Sequence, residues 1–83
     1  LGLLLQALNH GGVLIYETFM AGNERFGKPS NPDFLLRSHE LFERVADACT
    51  VIAYEQGEVT EPKPAVIQRI CAVKGHNPSL RLP

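Results

Sequence analysis

The chain has 83 residues, of which 45% are hydrophobic and 20% are charged, and its formal net charge is -1. This length leaves room for one small domain, and the composition is that of an ordinary globular protein. Without a basic stripe, nucleic acid is not expected as a partner, and no apolar run reaches the roughly 18 residues of a membrane span. The two cysteines are too few for a disulfide framework, so we expect free thiols and a cytoplasmic location.

The first predicted element is the end of a helix. Leu1, Leu4, Leu5 and Leu8 follow helical spacing, and the sequence NHGG at residues 9–12 supplies a stop. The chain opens inside this apolar periodic segment and does not begin with methionine. We therefore interpret it as a truncated or processed chain whose preceding sequence is missing.

A buried strand and a long loop are predicted next. Residues 13–16 are apolar at every position, which is typical of a strand covered on both faces in a parallel sheet. The polar residues Glu17 and Thr18 follow at its C-terminal end. The segment from residue 21 to residue 37 is rich in glycine and proline, and a loop of this length predicts a lid or a binding loop.

The remaining pattern predicts a helix and two further strands. Ser38 is placed to cap a helix whose buried face consists of Leu41, Phe42, Val45, Ala46 and Cys49. Residues 50–56 and 65–73 are strand-like, with a turn-rich connection between them. A strand–helix–strand passage predicts a parallel pair, and the short connection makes the last strand antiparallel. The predicted fold class is α/β, a three-stranded mixed sheet with flanking helices, over residues 1–74, followed by a flexible tail at 75–83.

Residues that could carry chemistry lie at the predicted strand end and in the long loop. Ligands gather beyond the C-terminal ends of parallel strands, where a carboxylate and a hydroxyl could bind a polar substrate. The loop adds charges of both signs and an aromatic ring in Asn23, Arg25, Phe26 and Lys28. Equally, Glu17 could end its strand in solvent, and the loop could be a solvated segment that one phenylalanine fixes in place. Histidine and cysteine spacing does not favour a metal site.

Several sequence strings resemble a known enzyme family. Residues 11–19 (GGVLIYETF) resemble the fifth strand of class I, Rossmann-like, S-adenosylmethionine-dependent methyltransferases. More specifically, residues 22–29 (GNERFGKP), 31–36 (NPDFLL) and 68–73 (QRICAV) look like a bacterial group of methyltransferases similar to the tellurite-resistance methyltransferases. The resemblance covers roughly residues 1–74. Ser38-His39 stands where relatives often have Pro-Gly, a change at the helix cap.

The resemblance implies that this chain is the C-terminal, substrate-side half of such an enzyme. Its last strand would then lie antiparallel between the other two strands. S-adenosylmethionine would be held by earlier strands, so no cofactor-binding residue is expected in this chain, and the fragment alone should be inactive. The implied methyl acceptor is a small molecule. Glu17 is the candidate catalytic residue, and the candidate substrate-binding residues are Thr18, Phe19, Asn23, Arg25, Phe26 and Lys28.

A second interpretation belongs to another class of protein. Without cofactor-binding strands, the chain could be a small non-enzymatic α/β interaction module. In either interpretation the strand at residues 13–19 should present an unpaired apolar edge, which invites pairing with another copy. The sequence therefore predicts a homodimer or higher oligomer joined through the exposed sheet edge.

Overall fold

The computed structural model describes residues 1–76. Two short α-helices and three β-strands follow one another as α1 (Gly2–Ala7), β1 (Val13–Phe19), α2 (Glu40–Ala46), β2 (Cys49–Val59) and β3 (Ala65–Lys74). Two single-turn helices, Asn23–Arg25 and Pro32–Phe34, interrupt the long loop between β1 and α2. Neither α-helix in residues 1–76 is long and apolar enough to cross a membrane.

The three strands form one antiparallel sheet in the order β1-β3-β2. Both pairs, β1 with β3 and β2 with β3, are antiparallel. The predicted parallel pair is therefore wrong, and so is the Rossmann-like mixed sheet to which it belonged. A parallel pair of β1 and β2 would require them to be neighbours, but β3 lies between them. The position of the third strand, antiparallel between the other two, agrees with what the resemblance implied.

The two faces of the sheet have different surroundings. The helix face carries Leu14, Ile70 and Ala72, which are buried with Leu41 and Val45 of α2. Leucines of the N-terminal segment, Leu1, Leu5 and Leu8, pack against the same cluster. Both helices thus cover one face, and we call the other the open face. Because successive strand residues alternate between faces, the residues of β1 on the open face are Val13, Ile15, Glu17 and Phe19.

Buried polar side chains hold the segment before α2 in place, and the hydrophobic periodicity of the sequence does not predict them. His39, rather than the predicted Ser38, occupies the N-cap position, with a left-handed φ of 64° and no capping side chain. The buried carboxylate of Glu40 accepts a hydrogen bond of 2.9 Å from the backbone N–H of Arg37. Gln68, which is 0% exposed, accepts from the N–H of Leu41 and donates to the carbonyl oxygen of Arg37. These hydrogen bonds fix the start of α2 on β3.

The boundaries of the remaining elements differ from the predicted ones. Cys49 begins β2 and is not part of the helix. Although it was assigned to the predicted tail, Gly75 is anchored, because its N–H donates to the carbonyl oxygen of Ala48 at 2.8 Å. His76 of the same tail lies with its Nε2 3.2 Å from the carbonyl oxygen of Asp47, and residues 77–83 lie outside the described part of the chain.

Candidate functional site

The strand-end residues predicted from the sequence point to opposite faces of the sheet. Glu17 and Phe19 lie on the open face, whereas Thr18 lies opposite the buried Gln68 on the helix face. This separation follows from the alternation of side chains along an extended strand. A ligand on the open face can therefore contact Glu17 and Phe19 but not the side chain of Thr18.

Asn23 has a structural position. Its side chain is 2% exposed. Its Oδ1 accepts a 3.0 Å hydrogen bond from the N–H of Val66, and its Nδ2 donates to the carbonyl oxygen of Pro29 at 3.0 Å. The preceding Gly22 has a φ of 106°, a left-handed conformation that favours glycine. The side chain of Asn23 thus holds the loop between β1 and α2 against the start of β3. Its amide oxygen and nitrogen already form hydrogen bonds within the protein.

The charged loop residues lie apart from Glu17. Arg25 forms an exposed ion pair of 2.7 Å with Glu58, and its guanidinium lies 5.1 Å from the centre of the Phe26 ring. Lys28 lines a separate hollow of about 490 Å³ that is bounded by loop residues including Phe34. The structure therefore does not gather the seven predicted residues into one site.

One pocket on the open face does contain two of the predicted residues. It has a volume of about 200 Å³ and is lined by Glu17, Phe19, Val59, Glu61, Pro62, Lys63, Ala65, Ile67 and Arg69. We call it the open-face pocket. It is bounded on one side by the connection between β2 and β3. Ile67 is buried there although neither α-helix of residues 1–76 covers this face.

An ion-paired row crosses the sheet beside the open-face pocket. Arg69 of β3 lies between Glu55 of β2 and Glu17 of β1, opposite both in register. Its Nε donates to Glu55 at 2.5 Å, and its Nη1 lies 3.4 Å from Glu17. The hydrogen bond to Glu55 holds the pKa of Arg69 above its usual range. Because the contact with Glu55 is the shorter one, the guanidinium of Arg69 pairs mainly with Glu55 and holds Glu17 less tightly.

The pocket residues Lys63, Ile67 and Arg69 were not predicted from the sequence. Their approach to Glu17 depends on the register that pairs Glu17 with Arg69 across β1 and β3. The sequence does contain two residues of opposite charge, Glu17 and Arg69, on two predicted strands of similar length. Their pairing could not be predicted, because the register of two strands cannot be assigned before the strand order is known.

The two edges of the sheet are built differently. The outer strand β2 carries a register irregularity between Val51 and Ala53, glutamates at 55 and 58, and Gly57 with a φ of 148°. Bulges and charges of this kind protect natural edge strands from pairing. In contrast, β1 is regular along its pairing with β3 and exposes 81% of Ile15. Only β2 therefore has the features of a permanent edge.

Part of the outer edge of β1 is occupied. The N–H of Leu36 donates to the carbonyl oxygen of Phe19, and the N–H of Ala21 donates to the carbonyl oxygen of Leu36. These bonds cover the C-terminal end of the edge. From Val13 to Glu17, no other strand of residues 1–76 lies alongside.

Comparison with known proteins does not assign this chain to a family. No protein-family model, curated protein or solved structure matches the chain. In residues 1–76, no group of three or more histidine, cysteine, aspartate or glutamate residues could hold a metal ion. Cys49 and Cys71 are free thiols.

Proposed function

We propose that this chain supplies the acceptor-binding side of an S-adenosylmethionine-dependent methyltransferase, with a small molecule as the methyl acceptor. The observation that carries the proposal is the regular edge of β1, along which no other strand of residues 1–76 lies from Val13 to Glu17, together with the open-face pocket at its C-terminal end. The sequence strings at residues 22–29 and 31–36, which resemble a group of methyltransferases, support the same conclusion.

The two outer strands of the sheet, β1 and β2, differ in how their edges are protected. A strand whose side chains are apolar on both faces is typical of the interior of a covered sheet. Val13 and Ile15 are such residues, yet both are exposed in this chain. Because β2 is protected and β1 is not, further sequence of the same protein is expected to pair with β1.

The open-face pocket does not itself fit the cofactor. The open-face pocket, at about 200 Å³, is smaller than the roughly 300–1,000 Å³ of pockets for drug-sized ligands. The buried side chain of Asn23 already forms hydrogen bonds with Pro29 of its own loop and with Val66 of β3. The proposal therefore assigns S-adenosylmethionine to sequence outside these 83 residues and assigns only the acceptor to this chain.

The proposed role of the open-face pocket is to position the acceptor. Phe19 and Ile67 provide apolar contact surface from which water can be excluded, and Glu17 supplies a hydrogen-bond acceptor at the rim. In group transfer, holding the reacting atom in the correct orientation contributes a large part of the rate. Glu17 is accordingly the residue proposed to orient the acceptor and to take up its proton. The free thiols of Cys49 and Cys71 fit a cytoplasmic location, which belongs to this proposal.

The test is methyl transfer by the complete reading frame that contains this chain. We expect transfer of labelled methyl from S-adenosylmethionine to a small acceptor, and a fall in kcat for Glu17→Gln. Arg25→Ala serves as a comparison, because Arg25 is paired with Glu58 away from the pocket and should leave kcat nearly unchanged. A complete protein that neither binds S-adenosylmethionine nor transfers methyl would refute the proposal.

A second candidate function is self-association as a non-enzymatic module. It is favoured by the exposure of Ile15, at 81%, next to the unpaired edge of β1. An edge of this kind can pair with the same edge of another copy. The two candidate functions predict different environments for the edge of β1 in the complete protein. In a methyltransferase this edge would be covered by the protein's own chain, whereas in a self-associating module it would be paired with another copy.

A further inference from the structure

We infer that the hollow in the loop between β1 and α2 binds a small aromatic carboxylate. This loop hollow is lined by Lys28, Pro29, Ser30, Asn31 and Phe34, and its volume is about 490 Å³. It shares no lining residue with the open-face pocket. The inference therefore goes beyond the proposed function and does not depend on it.

Hydrogen bonds within the protein hold two walls of the loop hollow in place. The carbonyl oxygen of Pro29 accepts from Nδ2 of Asn23, whose buried side chain is also bonded to β3. The N–H of Phe34 donates to the carbonyl oxygen of Asn31 at 2.9 Å. The volume of about 490 Å³ lies within the roughly 300–1,000 Å³ of small-molecule sites. The loop hollow is thus large enough, and sufficiently fixed, to hold a small ligand.

The apolar lining favours an aromatic ring. The side chain of Phe34 is 68% exposed, so a ligand can reach it without disturbing the core. Aromatic rings pack on one another in offset or edge-to-face arrangements, which gain free energy beyond the burial of apolar area. Pro29 adds a second apolar surface to the same lining.

The polar lining favours an anion. Lys28 is the one charged residue that lines the loop hollow, and among residues 1–76 its ammonium has no ion-pair partner within 4.0 Å. Asp33 is close in sequence but does not belong to the lining. Its N–H already bonds to Oδ1 of Asn31, which leaves Nδ2 of Asn31 as a donor, and the hydroxyl of Ser30 can donate as well.

One ammonium group balances one negative charge, which a carboxylate carries. A carboxylate also accepts charge-assisted hydrogen bonds, which are stronger than bonds between neutral groups. The lining offers donors and a cation from Lys28, Ser30 and Asn31 beside the ring of Phe34. The loop hollow therefore matches a ligand with a carboxylate at one end and an aromatic ring at the other.

The experiment titrates small probes of related shape into the isotope-labelled chain. Benzoate, benzyl alcohol and benzylammonium share the phenyl ring and differ in charge, whereas cyclohexanecarboxylate keeps the charge and lacks the aromatic ring. We expect benzoate to cause saturable changes in the amide chemical shifts of Lys28, Ser30, Asn31 and Phe34, with Kd on the order of millimolar. The other three probes should bind more weakly.

Substitution of Lys28 tests the source of the charge selectivity. Lys28→Gln should raise Kd for benzoate by about threefold, as expected for a solvent-exposed ion pair, and leave Kd for benzyl alcohol unchanged. Lys63→Gln is the matched control, because Lys63 is an exposed lysine that lines the open-face pocket and not the loop hollow. Unchanged shifts at distant amides would show that each variant is folded.

Substitution of Phe34 tests the contribution of the ring. Phe34→Leu should raise Kd for benzoate by about threefold and leave Kd for cyclohexanecarboxylate nearly unchanged, because leucine keeps an apolar side chain and removes the aromatic contact. Phe26→Leu is the control, since Phe26 is an exposed ring of the same loop outside the lining.

Equal binding of benzoate and benzylammonium, or the absence of saturable shifts at residues 28–34, would overturn the inference. An equal loss of affinity in Lys28→Gln and Lys63→Gln would also refute it, because the ligand would then respond to the net charge of the chain and not to the loop hollow. These results are separate from the test of methyl transfer. A complete protein that transfers no methyl group would refute the proposed function and leave this binding site intact.

Discussion

At the scale of single residues, buried amide side chains hold the irregular parts of the chain. Asn23 and Gln68 are both almost fully buried, and each forms hydrogen bonds with two backbone groups: Asn23 with Pro29 and Val66, and Gln68 with Arg37 and Leu41. A buried backbone group that loses its hydrogen-bond partner destabilises the folded state, because the free energy of removing it from water is no longer offset by a hydrogen bond. The loop between β1 and α2 is thus ordered by polar contacts and not by apolar packing alone.

Replacement of Asn23 should release this loop. Asn23→Ala leaves the N–H of Val66 and the carbonyl oxygen of Pro29 without their partners, and we expect the free energy of unfolding to fall by about 2 kcal/mol. Urea denaturation measures the change. Asn31→Ala is the control, because Asn31 is an exposed cap with a single hydrogen bond to the N–H of Asp33, and its loss should be about 1 kcal/mol or less. Equal losses in the two variants would contradict the assigned role of Asn23.

Glu40 should make the stability of the chain depend on pH. The hydrogen bond from the N–H of Arg37, opposed by burial and assisted by Arg44, lowers the pKa of Glu40 below its ordinary value of 4.5. A lowered pKa stabilises the folded state fully above that value, and this stabilisation is lost as pH falls through the folded pKa.

Glu40→Gln should therefore reduce the free energy of unfolding by about 1 kcal/mol at neutral pH and by little in acid. The measurement is urea denaturation as a function of pH for the wild-type chain and the variant. Glu43→Gln should have almost no effect at any pH, since Glu43 is exposed and lies 3.9 Å from Arg37. A constant difference between wild type and Glu40→Gln down to strongly acidic pH would refute the argument.

At the scale of elements, local patterns predicted which segments are strands and helices, but not how they pair. Apolar runs placed β1 and β3 correctly, and helical spacing placed Leu41 and Val45 in the core. The parallel pair failed because the order of strands in a sheet depends on contacts between distant segments. Glu17 and Phe19 were predicted correctly as strand-end residues, whereas their pocket partners depended on a register that no local pattern encodes.

The difference between the two faces of the sheet is testable with the same conservative substitution at two positions. Ile70 is buried on the helix face, whereas Ile15 is largely exposed on the open face. Ile70→Val should lower the free energy of unfolding by about 1 kcal/mol, because it removes a methylene from a packed core. Ile15→Val should change it by less than about 0.5 kcal/mol. Chemical denaturation that gave similar losses for both variants would mean that the open face is covered.

At the scale of the whole molecule, the open face and the edge of β1 predict that the isolated chain self-associates. Sedimentation of the 83-residue chain at micromolar concentration should show a dimer or higher oligomer. Ile15→Lys should shift the population towards monomer without unfolding the chain, because a charge on an exposed edge discourages pairing. Glu58→Lys on β2 provides a comparison at the opposite edge. A wild-type chain that sediments as a monomer would refute the predicted oligomer.

The central claim is that β1 is an interior strand of a larger sheet, and amide hydrogen exchange tests it most directly. The N–H groups of Leu14 and Tyr16 face β3 in the antiparallel register, whereas those of Ile15 and Glu17 face outward. In the dilute, monomeric chain we predict slow exchange at the first pair and fast exchange at the second. In the complete protein we predict slow exchange at all four amides. Fast exchange at Ile15 and Glu17 in the complete protein would contradict the claim.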